Sequence, residues 1–151
     1  MKIVKAELKD AADILKLQKS TFAMEAKIND DYNIKPLIEN AEDIEKAFEK
    51  QSYIKIVDNG RIIGSARGYI ENGICYIGRV IVDEQYQNMG LGTRLMKAIE
   101  DIFNSADRYE LFTGKKSSKN IYFYEKLGYK IFKEERISDK TTLVYMEKYN
   151  V

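Results

Sequence analysis

Histidine is absent from the 151 residues. Its absence excludes serine–histidine hydrolases, cysteine–histidine proteases, histidine phosphotransfer and histidine-ligated zinc. One cysteine, Cys75, can form neither an intramolecular disulfide nor a thiolate metal cluster, so no metal site is expected and a reducing compartment suits the chain. There is one proline, Pro36, and no glycine/serine-rich stretch, so no linker divides the sequence and residues 1–151 read as a single domain. Apolar runs are only a few residues long, too short to span a membrane. Met1-Lys2-Ile3-Val4-Lys5 lacks the apolar core of a signal peptide. Charge of one sign is not in surplus either: 25 basic residues face 24 acidic ones, and a nucleic-acid binder would need a basic excess. What remains is a composition 44% hydrophobic and 11% aromatic, sufficient for one packed core. These features describe a cytoplasmic protein with neither nucleic acid nor membrane as partner.

Hydrophobic spacing predicts the elements. Lys2–Ala6 reads as a strand. Asp10 is expected to N-cap a helix carrying Ala11, Ile14, Leu15, Leu17 and Phe22 on one face. After a polar break at Asn29–Asn33, Pro36 opens a second helix bearing Leu37, Ala41, Ile44 and Phe48. The period then falls to two. Tyr53–Val57, Ile62–Ile70 and Ile74–Val82 are strand-like, joined by Asn59-Gly60 and Asn72-Gly73, which tolerate the positive φ of type I′ turns. Leu91 to Phe103 spaces apolar residues as a third helix. Tyr109–Thr113 is a strand and Ser118–Leu127 a fourth helix ended by Gly128, before strands Tyr129–Arg136 and Thr142–Lys148. The order implies an α+β fold, with a mixed, mostly antiparallel central sheet flanked by helices on both faces.

Two segments carry chemistry. Gln87-Asn88-Met89-Gly90-Leu91-Gly92-Thr93 lies between a strand and an amphipathic helix, where free amides and the helix dipole favour an anion. Glycines there let main chain approach a phosphate. The run lacks the third glycine of a dinucleotide fingerprint and the Gly-Lys-Ser/Thr of a P-loop. The second segment, Ser117 to Tyr129, contains Tyr124-x-x-x-Gly128-Tyr129.

In this order, spacing and context, the two segments resemble the GNAT superfamily of acyl-CoA-dependent N-acetyltransferases, and the predicted strand order resembles that fold across essentially the whole chain. The resemblance implies acetyl-CoA as acyl donor and no metal. It implies that Gln87 opens the turn whose amides, from Asn88 through Met89, Gly90, Leu91 and Gly92 to Thr93, hold the CoA pyrophosphate. Val80, Ile81 and Val82 would offer main chain to the pantetheine arm, joined by Ser117 and Asn120. Tyr124 matches the tyrosine that protonates the departing thiolate. A phenol is a suitable donor to a thiolate leaving group whose pKa is about 8.5. Ser117 and Asn120 stand where members often carry asparagine and alanine. The strand position of a general-base glutamate falls on Tyr76 and its next neighbour on that face on Gly78, so the base is left to Glu71 through water or to an acidic residue after the first helix.

Charge is unevenly distributed. Between Met24 and Glu49 there are eight acidic residues against three lysines, whereas residues 88–130 carry eight basic and five acidic. An acidic acceptor side with Glu25, Asp30 and Asp31 in irregular sequence would suit a cationic amine, while the later half would suit an anionic donor, with Lys115, Lys116 and Lys119 near its 3′-phosphate. The expected function is transfer of an acetyl group to a primary amine of a small molecule, by direct attack in a ternary complex. Two alternatives stand beside it: a non-catalytic CoA-binding sensor or interaction module, and an acetyltransferase of protein N-termini or lysines. A homodimer is an open possibility for the assembly.

Overall fold

A computed structural model describes residues Met1–Val151. Strands β1 (Lys2–Lys5), β2 (Ser52–Asp58), β3 (Arg61–Glu71) and β4 (Ile74–Val82) run antiparallel, β4 pairs in parallel with β5 (Arg108–Gly114), and β6 (Lys130–Arg136) and β7 (Thr142–Tyr149) follow. The sheet order is β1-β2-β3-β4-β5-β7-β6, all antiparallel except β4–β5, as the sequence pattern implies. Both asparagine–glycine pairs adopt the expected positive φ: 50° and 75° at Asn59-Gly60, 52° and 79° at Asn72-Gly73.

The helices are α1 (Ala11–Asn29), α2 (Lys35–Ile38), α3 (Ala41–Lys50), α4 (Leu91–Ile102) and α5 (Ser118–Lys126). One face of the sheet takes α1 and α3, through Ala11, Ile14, Ile44 and Tyr53. The other takes α4 and α5, where Leu91, Leu95, Met96, Ile99 and Tyr124 join a cluster with Ile54, Ile77, Leu111 and Met146. Each fully buried aliphatic side chain stabilises by about 1.5–3 kcal/mol, so α4 is held by its apolar stripe. No helix is long and apolar enough to cross a membrane.

Two local expectations are corrected. Asp10 does not cap α1. Its backbone is already helical at the end of a 3-10 turn over Leu8–Asp10, and its carboxylate instead accepts from Glu7 N (2.8 Å) and Lys55 Nζ (2.8 Å). The second helix is two. Glu39 is extended, and Asn40 caps α3 reciprocally with Asp43, each side chain accepting from the other's amide at 2.9 Å. A complete capping box outweighs continuous apolar spacing.

The centre of the sheet is opened by two features of β4. Its ladder to β5 lasts only from Ile74 to Tyr76, against Arg108 to Glu110. Beyond that, Arg79 has a φ of 49°, and Arg79 and Val80 together oppose one residue of β3, Ala66. This β-bulge bends β4 and re-aims its side chains. Past Tyr76 the two strands part, β4 staying with β3 and β5 with β7.

Candidate active site

Two clefts flank the parting strands. The first, about 570 Å³, is lined by Val80, Ile81 and Val82 of β4, by Gln87, Asn88, Gly90, Leu91, Gly92 and Thr93, and by Ser117, Asn120 and Tyr124. The second, about 540 Å³, lies between β4 and β5 under α1 and α2, with Tyr76, Arg67, Arg79 and Glu110 in its walls. Phe22, Glu25, Val80, Asn120 and Tyr124 line both.

One wall of the first cleft is built from main chain. Asn88 and Gly90 take positive φ, 65° and 76°, which turns the chain into α4. The first intrahelical amide is that of Arg94, bonded to Gly90 O at 3.2 Å, so the amides of Leu91, Gly92 and Thr93 are the free donors of the first turn. No acidic side chain lies in that turn to repel an anion. A Cβ on Gly92 would stand 3.1 Å from Phe123 of α5, so this glycine allows α4 and α5 to approach. Gln87 acts within the fold: its Nε2 donates to Val82 O (3.1 Å), tying the turn to the strand end. Met89 is exposed and lines neither cleft. A pyrophosphate fits these free amides, and an extended arm fits the unpaired edge of β4.

Tyr124 is positioned by the end of its helix. Gly128 (φ 99°) is left-handed, Tyr129 N bonds to Tyr124 O (3.1 Å) and Gly128 N to Glu125 O (3.0 Å). This is a Schellman terminus, whose accompanying apolar contact joins the rings of Tyr124 and Tyr129, 6.1 Å apart. The Tyr-x-x-x-Gly-Tyr spacing is therefore a helix stop that also orients its tyrosine. Tyr129 is anchored in turn, donating to Glu100 Oε2 (2.7 Å). Burial, with the Glu25 carboxylate adding to it, pushes the Tyr124 phenol well above its ordinary pKa, so it stays protonated across the neutral and mildly alkaline range.

Glu25 lies in the penultimate turn of α1, not in irregular sequence. Its carboxylate accepts from Ser117 Oγ, a bond across 92 residues that joins α1 to the start of α5. Asn120, one turn before Tyr124, donates to Thr113 Oγ1 (3.3 Å).

The remaining acidic candidates lie elsewhere. Asp30 and Asp31 line neither cleft. Asp30 is the left-handed C-cap of α1, and Asp31 accepts from Thr141 Oγ1 (2.6 Å) and Ser138 Oγ (3.0 Å), fastening α1 to the β6–β7 turn. The Thr141 hydroxyl first, then the Asn33 amide and the Ser138 hydroxyl, hold the Asp31 carboxyl below its usual range. Glu71 pairs with Lys50 (3.5 Å) outside both clefts. Tyr76 does line the second cleft, stacked on Tyr69 at 5.1 Å. Sequence reasoning missed the arginines of that cleft, Arg67 and Arg79, and the buried pair between Arg79 and Glu39 (3.1 Å).

The model of the acetyltransferase (GNAT) family matches residues 11–129. The chain belongs to the GNAT family. Two curated relatives are similar over part of their length: the N-terminal acetyltransferase B complex catalytic subunit NAA20 of Arabidopsis thaliana, 32% identical over 77 residues (49% of this chain, 44% of that one), and glucosamine 6-phosphate N-acetyltransferase of Trypanosoma brucei brucei, 35% over 78 residues (47% and 52%). The chain thus spans about half the length of the curated relatives it matches. Solved structures share the fold over the whole chain. Smu.2055 from Streptococcus mutans UA159 superposes with a TM-score of 0.85 at 16% identity, covering 100% of both chains. An aminoglycoside 6′-N-acetyltransferase complexed with coenzyme A gives 0.77 at 17%, covering 100% of this chain and 98% of that one.

Proposed function

We propose that this GNAT protein transfers the acetyl group of acetyl-CoA to the primary amine of a small molecule. One observation carries the reading: Tyr124, a buried phenol, stands in the wall shared by a cleft of free main-chain amides and a second cleft with room for an acceptor. The amides of Leu91, Gly92 and Thr93 hold the pyrophosphate, and the edge of β4 at Val80–Val82 holds the pantetheine arm. Acetyl-CoA supplies the thioester carbonyl carbon to be attacked.

Glu25 is the one carboxylate that lines both clefts, and we assign it the proton shed by the amine. The nitrogen forms the new C–N bond as the C–S bond breaks. Tyr124 gives its proton to the leaving sulfur, and the proton on Glu25 then restores the phenol. Holding amine and carbonyl in adjoining clefts supplies the proximity the bimolecular step lacks in water. An amine panel with acetyl-CoA, read by release of free thiol, tests the reading. Thiol release with at least one small amine, reduced about tenfold or more in Glu25→Gln, is expected. A protein that neither releases thiol nor gains thermal stability from CoA overturns it. Acetylation of a protein N-terminus is the second reading, supported by the similarity to NAA20, and a short peptide in the same panel distinguishes it.

A further inference from the structure

The second cleft holds five charged side chains, Glu25, Lys35, Arg67, Arg79 and Glu110. Their pairing is unequal. Glu110 is matched by Arg108 (3.0 Å), and Arg79 by Glu39 (3.1 Å), with both members of the latter pair about nine-tenths buried. Glu25 is engaged by Ser117. Lys35 and Arg67 have no carboxylate within 4 Å. The Arg67 guanidinium makes one hydrogen bond, Nη1 to the Tyr53 hydroxyl (2.9 Å), and its Nε is buried without a partner, as is that of Arg79. Beside it Gly78 contributes no side chain, and a Cβ there would come within 3.8 Å of Arg67 Nε.

Two guanidiniums on one cavity wall, of which only one has a counter-ion, leave positive charge in a half-buried place. Such a charge is costly unless an anion meets it, and the guanidinium fork matches the two oxygens of a carboxylate or phosphate. The proximity is also felt electrostatically: burial first, and then the Arg67 charge, lower the pKa of Arg79. The acidic loop expected to attract a cation contributes neither Asp30 nor Asp31 to this cleft.

We infer that the acceptor amine carries an oxyanion group, carboxylate or phosphate, which Arg67 binds in the second cleft with Arg79 beside it. The inference rests on the acetyl-transfer reading for the identity of the other end of the molecule, the amine at Glu25 and Tyr124. It reverses the cationic acceptor expected from charge counts along the chain.

Paired amines test it. Glucosamine 6-phosphate is compared with glucosamine, and an α-amino acid with its primary amide, by thiol release and by thermal shift in saturating CoA. In at least one pair the anionic member should have a kcat/KM about tenfold or more above the neutral one, and the pair that responds identifies phosphate or carboxylate. Arg67→Met should raise KM for the anionic amine about tenfold, leave the neutral amine within about twofold, and abolish the thermal shift given by the anionic amine. Arg67→Lys, which keeps the charge without the fork, should recover part of the preference, a recovery that a merely misfolded variant would not show. Equal or better activity with both neutral partners overturns the inference, as does an Arg67→Met loss that is the same for anionic and neutral amines. An Arg67-dependent thermal shift without thiol release from any amine would sustain the anion site and remove the acetyl-transfer reading instead.

Discussion

The two clefts that meet at Tyr124 are made of different material. The first has one wall of main chain, from the contiguous stretch Gln87 to Thr93 and one strand edge, closed by side chains of α1 and α5. The second is side chains brought from α1, α2 and strands β3, β4 and β5, with partners as far apart in sequence as Glu39 and Arg79. A donor common to many reactions can be held by amides that any sequence with the right turn supplies. An acceptor is distinguished by which side chains stand opposite it, and those depend on register and packing.

If that division is real, damage to one cleft should leave the other intact. The largest effect is expected from Glu39→Ala, which strips the counter-ion from Arg79 inside the protein and removes an acceptor for Gln18 Nε2 (2.8 Å). A loss of about 3–5 kcal/mol is expected in denaturant unfolding, with the Kd for CoA unchanged wherever the variant is folded. A weaker CoA affinity that tracks the loss of stability would break the division.

Next comes Tyr124→Phe, at the wall between the clefts. If its hydroxyl is the proton donor we propose, kcat should fall about 100-fold, or about 2.7 kcal/mol, with KM for acetyl-CoA near wild type. The defect should shrink as pH rises, because a thiolate leaves more readily unassisted. In the wild type the raised pKa keeps the Tyr124 phenol protonated beyond the pH at which an ordinary tyrosine ionises. Full kcat in the variant, with chemistry rate-limiting, removes the acid role. Tyr122→Phe, on the exposed side of α5, should leave kcat unchanged.

Gly90→Val tests the first cleft alone. Nothing lies within 4 Å of a Cβ at this position, so the cost comes from forcing a β-branched residue to a φ of 76°, about 1–2 kcal/mol. The thermal shift with CoA should disappear, while the buried Arg79–Glu39 pair is untouched. A retained shift would mean that the turn does not hold the donor.

The smallest effect concerns the core shared by both clefts. Burial, then the Glu100 charge, pushes the Cys75 thiol up to about 12. At pH 8 its alkylation should be at least tenfold slower in the native protein than in the unfolded chain. Because the folded pKa is the higher one, Cys75 contributes stability fully below the ordinary thiol range and loses it as pH climbs from about 9 toward 12. Labelling as fast as in urea would show that this part of the sheet opens.

Much of this molecule is determined by local sequence. The asparagine–glycine turns, the apolar stripe of α4, the glycine turn before it and the Tyr124–Tyr129 helix stop each depend on residues within one or two turns of one another. Their physics is carried by φ preference, capping and spacing, and all are legible without the fold. The Asn40–Asp43 capping box was legible too, as an Asn-x-x-Asp pattern, but the apolar spacing across it conceals the break between α2 and α3. Tertiary structure alone decided the rest. Glu25 meets Ser117 across 92 residues, Asp31 is spent on Thr141 across 110, and a single extra residue in β4 at Arg79 bends that strand where it borders the second cleft. Register assigns a side chain to one face of a sheet or the other, and a bulge reverses that assignment. The charge lining the second cleft is therefore a property of pairing between distant strands, which no count of acids and bases along the chain contains.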